Sequence, residues 1–495
     1  MKFPSDNAGP QGGTDPRAVS AGSAEAGEAA SPVDAADAGY SRSLKSRHIR
    51  MIAIGGSIGT GLFLGAGGRL AIGGPALALV YALCGVFTFF MMRALGEMAV
   101  YRPSSGAFVS YAREFIGEKA AYITGWLFFI DWCCSVMAET TAIALYLHYW
   151  TVFQPIPQWV LALVTLALVL GLNLLAVKFF GEAEFWFAMI KIAAIVSFMA
   201  IAAFLVLTHH QVGGRAAGTA LITEHGGLFP HGLLPVITLT LGVVFAFGGT
   251  EMVGVAAGEA EGAHKIIPKA VNSTFWRIAL FYVGSVVLLT LVLPWTSYSK
   301  AESPFVTFFS ALGIPNMGGI MNLVVITAAF SSMNGGLYAT GRTLRSMSMA
   351  GSGPKVAARL NRHKVPFAGV LITAGLGLVG VLINYAWPTQ AFDIVMNLAG
   401  IGIAGTWISI MVSHWAFVRR AKKGLVKRPG YRLWCAPYVN IVTILFLVAV
   451  IGGMWFADDI GKPTILLFLG IGVVLALNWF RVRNRVRKTV GDIEL

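Results

Sequence analysis

Stretches of about 20 apolar residues recur along this sequence from residue 50 to residue 482, and a bundle of membrane-crossing helices is the fold that can absorb them. Twelve are readable, near residues 50–73, 75–98, 120–149, 158–177, 184–207, 232–257, 274–294, 316–341, 366–386, 391–416, 437–457 and 463–480. A soluble core of this size could not hide them. Of the 495 residues, 56% are hydrophobic and 12% charged, against about 25% charged in soluble chains. In hydrocarbon each backbone N–H and C=O must be satisfied within its own segment, so the expected fold is an all-α polytopic membrane protein.

The net charge of +14 would suggest a nucleic-acid partner for a soluble protein, but its placement removes that reading. With the N-terminus in the cytoplasm, 32 of the 37 Lys and Arg fall in cytoplasmic ends and loops. Four (Arg69, Arg215, Lys300 and Lys462) fall on the other side, and Lys191 lies inside span 5. Such a bias orients the chain with both termini cytoplasmic. Residues 1–46 have no apolar signal core and are rich in Ala, Gly, Ser and Asp, which predicts a disordered cytoplasmic tail. A transmembrane domain over 47–482 and a cytoplasmic tail over 483–495 follow. Cys84, Cys133, Cys134 and Cys435 have neither disulfide nor metal spacing. The outer loop 208–231 carries His209, His210, His225 and His231, read as a hydrated loop in preference to a metal site. The amphipathic loop from Tyr101 either lies along the inner membrane face or packs under the bundle. Residues 416–436 form a basic linker whose charges set topology, and Arg93 and Glu97, spaced i,i+4, read as a structural pair.

Two spans carry an internal anomaly. Span 1 is interrupted by Gly-Gly-Ser-Ile-Gly-Thr-Gly (Gly55 to Gly61), and span 6 by Phe-Gly-Gly-Thr-Glu (Phe247 to Glu251). Glycine costs about 1 kcal/mol in a helix interior relative to alanine, so its density there calls for a reason. If spans 1–5 (about 50–207) and 6–10 (about 232–416) are two inverted repeats, both breaks fall in the first helix of their repeat, with the helices of 437–480 added outside. An unwound turn frees amides at the start of one half-helix, which suit a carboxylate, and carbonyls at the end of the other, which suit an ammonium. Facing breaks would therefore grip both ends of an α-amino acid. The competing reading is close helix packing at the small-xxx-small spacings Gly55–Gly59 and Gly61–Gly65. A nucleotide-binding loop would need a preceding strand and soluble surroundings.

Ionisable residues inside spans are functional candidates. Glu139 is near the middle of span 3, with Asp131 about 80° around the same helix. Lys191 is roughly 10 Å into span 5, and Glu251 follows the second break. Lys191 either snorkels or faces the core, where it could exchange a proton, and a buried pair with Asp131 is expected. Glu139 either contacts a substrate or proton or bonds to a neighbouring helix.

Together the stretches from Arg47 to about Arg485, among them IGGSIGTGLFLGAG, RPSSGAFVSYAREF, GEAEFWFAMIKIAAIV, FGGTEMVGVAAGE and SPFVTFF, resemble the bacterial amino acid permeases of the amino acid–polyamine–organocation superfamily. The similarity is greatest to the asparagine permease type. It implies twelve transmembrane helices in a five-plus-five inverted repeat (LeuT-like) with helices 1 and 6 broken, and proton-coupled amino acid uptake across the bacterial inner membrane. By motif, Gly56, Ser57, Ile58, Gly59, Thr60 and Gly61 would hold the substrate carboxylate. Phe247, Gly248, Gly249, Thr250 and Glu139 would face its amino group and side chain. Lys191 matches a lysine that takes the place of a sodium ion in related transporters, and with Asp131 and Glu251 it is assigned to proton coupling. Glu259 also matches an acidic position of the pattern. The residues around Glu139 and the FGGTE break are closer to the aromatic and lysine types, so the scaffold points to asparagine while the pocket leaves room for another neutral amino acid.

The expected activity is import of a neutral amino acid, first L-asparagine, by proton symport and alternating access, with no cofactor beyond the coupling proton. An aromatic or other neutral amino acid permease is the alternative, and a non-transporting amino acid sensor is the alternative from another class. No nucleophile–base constellation or metal set points to an enzyme. Expected partners are the amino acid and membrane lipids, with monomer and homodimer both open.

Overall fold

The computed structural model describes residues 51, 58–104, 106–174, 177–259, 262–300, 302–456 and 461–490. The expected tail 1–46 and Gly56 and Ser57 of the first break lie outside them. Apart from one hairpin of two-residue strands, β1 (Gln211–Val212) and β2 (Arg215–Ala216), the described chain is helical and irregular.

Helices α1 (Thr60–Phe63) and α2 (Gly65–Gly73) lead into α3 (Leu77–Tyr101). The turn before α3 is made by Gly74, whose φ of +61° lies in the region glycine tolerates, with Pro75 following it. Helix α3 runs without interruption through its apolar sequence and stops at Arg102, which precedes Pro103 and is pushed out of the helical region. Next come α4 (Ala107–Phe115), α5 (Glu118–Leu147), α6 (Gln158–Asn173) and α7 (Val177–Leu207). After the hairpin stand α8 (Ala220–Thr223), α9 (Leu233–Thr238), α10 (Thr240–Ala246), α11 (Met252–Ala256), α12 (Ala263–Arg277) and α13 (Ser285–Val292). The chain ends with α14 (Pro304–Ala311), α15 (Met317–Met349), α16 (Phe367–Ala386), α17 (Ala391–Lys422), α18 (Tyr438–Gly453) and α19 (Gly461–Val490).

Among the described residues, nine helical segments are long and apolar enough to cross a membrane, and two shorter apolar ones, Gln158–Asn173 and Leu233–Ala246, accompany them. Burial sorts them into layers. The most apolar window of α5 is 89% buried and that of α19 is 6% buried, so α5 is the centre of the bundle and α19 its rim. Helix α5 packs chiefly against α15 and α17. On α19, Leu466, Leu469, Val473, Val474 and Leu477 are all exposed, a continuous apolar face suited to lipid. The helices at the basic end outrun the apolar spans read from sequence: α15, α17 and α19 continue to Met349, Lys422 and Val490. Charge ends a membrane span but does not end a helix, so residues 483–490, expected in the tail, extend α19.

The amphipathic loop after Tyr101 resolves in favour of packing under the bundle. Helix α4 is buried over Ala107–Ala112 and at Phe115, and lies against α5 and α17. The pair expected between Arg93 and Glu97 is not formed. Glu97 receives Arg428 Nε (2.6 Å) and Nη2 (2.9 Å), His414 Nε2 (2.9 Å) and the amide of Leu433 (2.7 Å). Arg93 instead bonds Asn272 and the Arg432 carbonyl, with its guanidinium over the rings of Tyr431 and Trp434. The chain after α17 folds back over the inner end of α3, and its groups outcompete a solvent-facing i,i+4 contact. The basic linker therefore has a structural role beyond topology. The four cysteines are free. Among the described residues no three His, Cys, Asp or Glu stand together as metal ligands.

Candidate functional site

Two helix interruptions meet in the middle of the bundle. At the first, Gly59 is extended (φ −123°, ψ −158°) and its carbonyl accepts the amides of Leu62 (3.3 Å) and Phe63 (3.2 Å), so a half-helix begins at Thr60. The amides of its first turn have no helical acceptor behind them. At the second, α10 ends at Ala246 and α11 begins at Met252, with Gly249 at φ +90° between them. The Gly249 amide donates to Glu251 Oε1 (3.1 Å), and Trp407 Nε1 donates to Oε2 (3.3 Å). Both oxygens of Glu251 are thus engaged in holding the interruption open and tying it to α17.

Between the interruptions lies a cavity of ≈ 20 Å³, the space of about one water. Gly59 and Gly61 line it from the first break, and Phe245, Ala246, Gly248 and Gly249 from the second. Asp131, Trp132, Ser135 and Glu139 enter from α5, Ser332 from α15 and Ile403 from α17. The glycines explain themselves here by space. A Cβ on Gly59 would stand 2.9 Å from Glu139 Oε1 and 3.0 Å from Ser332 Oγ, and one on Gly61 would stand 2.4 Å from the Cα of Ala246. The close-packing reading therefore holds at Gly61, where two half-helices cross, while Gly59 opens the cavity.

Of the sequence candidates, the cavity gathers Gly59, Gly61, Gly248, Gly249, Asp131 and Glu139. Glu139 is 3% exposed, lies against Thr60 and Ser332, and its Oε2 has no hydrogen-bond partner among the described residues. Phe247 does not face the cavity. Its ring packs on Tyr282 (centroids 4.6 Å) and Tyr81 (5.9 Å) behind the break. Ile58, Thr60 and Thr250 are buried beside the site without lining it. Glu259 closes the short turn Ala257–Glu259 beyond α11.

Lys191 is fully buried. The carboxylates charged against it are Glu184 and Glu139, whereas the charge facing Asp131 is Glu251 and its hydrogen-bond partner is Ser135 (3.3 Å). The buried pair expected between Asp131 and Lys191 is therefore replaced by another arrangement. Asp131 sits on the side of α5 that meets Gly402 of α17, while α7, which carries Lys191, packs on α15. Equal depth placed the two residues together in the sequence reading, but they face different neighbours. Glu184 escaped that reading. Its two oxygens lie 2.7 and 2.8 Å from the Ser331 hydroxyl, and it is 1% exposed. The signal was available: Glu184 and Lys191 are seven residues apart on one helix, hence on one face, and a helical side chain leans toward the N-terminus.

A many-helix membrane bundle with a polar cavity between two interrupted helices is the architecture of a solute permease. The sequence model of the amino acid permease family matches residues 48–489, and the chain belongs to that family. It is 57% identical over 461 residues to the L-asparagine permease of Streptomyces coelicolor, covering 93% of this chain and 94% of that one. It is 52% identical over 454 residues to the L-asparagine permease of Salmonella typhimurium (92% and 91% covered) and 51% identical over 454 residues to that of Escherichia coli (92% and 91%). The protein is thus a multi-pass membrane permease for amino acids.

Proposed function

We propose that this permease imports L-asparagine across the bacterial inner membrane together with a proton, by alternating access. The observation that carries the reading is the cavity itself, where amides of one half-helix, a second glycine break and the carboxylate of Glu139 converge on a space shielded from both sides. An α-amino acid has complementary groups at matching ends: a carboxylate for the amides that follow Gly59, and an ammonium for Glu139 and the carbonyls of the second break. The substrate itself is inferred from the named relatives, all of them asparagine permeases over nearly their full length.

The small volume supports an occluded conformation, since an amino acid needs several times ≈ 20 Å³ and enters only if helices move. Twelve crossings in two inverted repeats fit the helices, because the segment from Thr60 to Tyr101 turns at Gly74 and the breaks fall at matching places. Both termini are assigned to the cytoplasm from the positive-charge bias. Lys191 is assigned to proton coupling on its complete burial between Glu184 and Glu139, where a change in its charge is felt by a residue lining the cavity. No further cofactor is proposed. Competition by a panel of unlabelled amino acids against labelled L-asparagine, in proteoliposomes, tests the substrate. L-Asparagine should compete best, and stronger competition by phenylalanine or tyrosine would replace it with the aromatic alternative.

A further inference from the structure

A second, larger cavity of ≈ 430 Å³ lies on the far side of the first break, among α2, α9, α10 and α17, where the sequence places the few outer charges. Its polar lining includes Arg69, Lys300, Asp393 and Asn397, and its apolar walls include Ile72 and Phe392. The volume is in the range of small-molecule sites. Lys300 and Asp393 stand 3.9 Å apart at its mouth and are partly exposed.

Arg69 is different. Counted in sequence as an outer charge, it is 4% exposed. Its Nη1 donates to the Gly61 carbonyl (2.8 Å) and the Tyr81 hydroxyl (3.3 Å), and its Nη2 to Met396 Sδ (3.2 Å). All three are neutral acceptors, and among the described residues no carboxylate lies within 4 Å of this guanidinium. The guanidinium also fills the space between the two half-helices. A Cβ on Gly65 would stand 2.7 Å from Nη2, and one on Gly242 2.6 Å from Nε. Arg69 is therefore the floor of the outer cavity and the roof of the inner one, since the carbonyl it holds belongs to Gly61 of the inner lining. A buried cation with only neutral partners favours an anion, and a guanidinium meets a carboxylate through two parallel hydrogen bonds.

We propose that the outer cavity is a separate binding site for the substrate amino acid, which takes its α-carboxylate on Arg69 and its ammonium on Asp393 before entry to the inner site. This rests on the amino acid transport reading above and extends it. When the carboxylate draws the guanidinium away from the Gly61 carbonyl, the wedge between Gly65 and Gly242 is withdrawn and the route to the inner cavity opens.

Equilibrium binding of labelled L-asparagine to the full-length protein in nanodiscs tests this. Two sites per chain are expected in the wild type and one in Arg69→Gln, with asparaginamide, which lacks the α-carboxylate, unable to compete at the lost site. Uptake by Arg69→Gln should show a KM raised about tenfold, the scale of one lost charged contact. As an independent measurement that does not depend on Arg69 variants folding, Asn397→Cys should be labelled by a membrane-impermeant thiol reagent from outside, and L-asparagine should slow that labelling. One site in the wild type, unchanged binding in Arg69→Gln or no protection of Asn397→Cys overturns the outer site while leaving transport intact. A wild-type protein that binds no amino acid at all contradicts the transport reading as well.

Discussion

Gly59 and Glu139 show what a single residue decides here. The space beside Gly59 is bounded by the Glu139 carboxylate and Ser332, so one added methyl group occupies the cavity. Gly59→Ala should leave folding largely intact and reduce the initial rate of uptake about 10²-fold, the cost of misplacing a bound substrate by about 1 Å. Undiminished uptake would show that substrate binds elsewhere. At Lys191, removal of the cation leaves Glu184 and Glu139 facing each other without it. Lys191→Met, which keeps much of the side-chain volume, should abolish the response of uptake to an imposed pH gradient, measured as the ratio of rates with and without it. These residues were legible in sequence because glycine in a helix and charge in a membrane are both costly, and the cost itself marks them. What was not legible was direction. Depth along a span can be read from residue number, but the angle at which Asp131 or Phe247 leaves its helix depends on which neighbour packs there. For the same reason Arg69, an outer charge by position, is a buried wedge in the fold.

The elements behave as rigid pieces joined at identifiable points. Half-helices α1 and α10 approach so closely at Gly61 that a methyl group there would meet the backbone of Ala246 at 2.4 Å. Gly61→Ala should therefore act on packing rather than on substrate contact, lowering stability by about 1–3 kcal/mol, observable as a lower thermal midpoint in detergent. A second joint is the carboxylate of Glu97, which ties α3 to α17 and to the linker before α18. Asn440 Nδ2 donates to the Met411 carbonyl (2.9 Å) and also faces His414 Nδ1 (2.9 Å), so Nδ1 accepts and the proton of His414 is on Nε2, directed at Glu97. Glu97→Gln retains the shape and removes the charge that Arg428 pairs with. A loss of about 3 kcal/mol is expected from breaking a buried ion pair, again read from the thermal midpoint. Element positions were readable from the apolar period, because lipid imposes it. The i,i+4 spacing of Arg93 and Glu97 was misleading, because it describes an isolated helix and omits a linker some 330 positions away that supplies better partners.

At the scale of the whole molecule, the two cavities lie in series, ≈ 430 Å³ outside and ≈ 20 Å³ within, separated by Arg69 and the Gly61 carbonyl. Such a series suits a transporter that admits substrate from one side at a time. The lipid-facing rim of α19 and the buried centre at α5 show which parts can move against which: the rim bears few contacts with the core, while α15 and α17 are locked to α5. The central claim concerns what crosses and what drives it. The most direct measurement is the initial rate of labelled L-asparagine uptake into sodium-free proteoliposomes bearing this protein, with the pH inside held above that outside. The account predicts accumulation that collapses when a protonophore is added. Uptake that needs sodium and ignores the proton gradient, or no uptake at all, would contradict it.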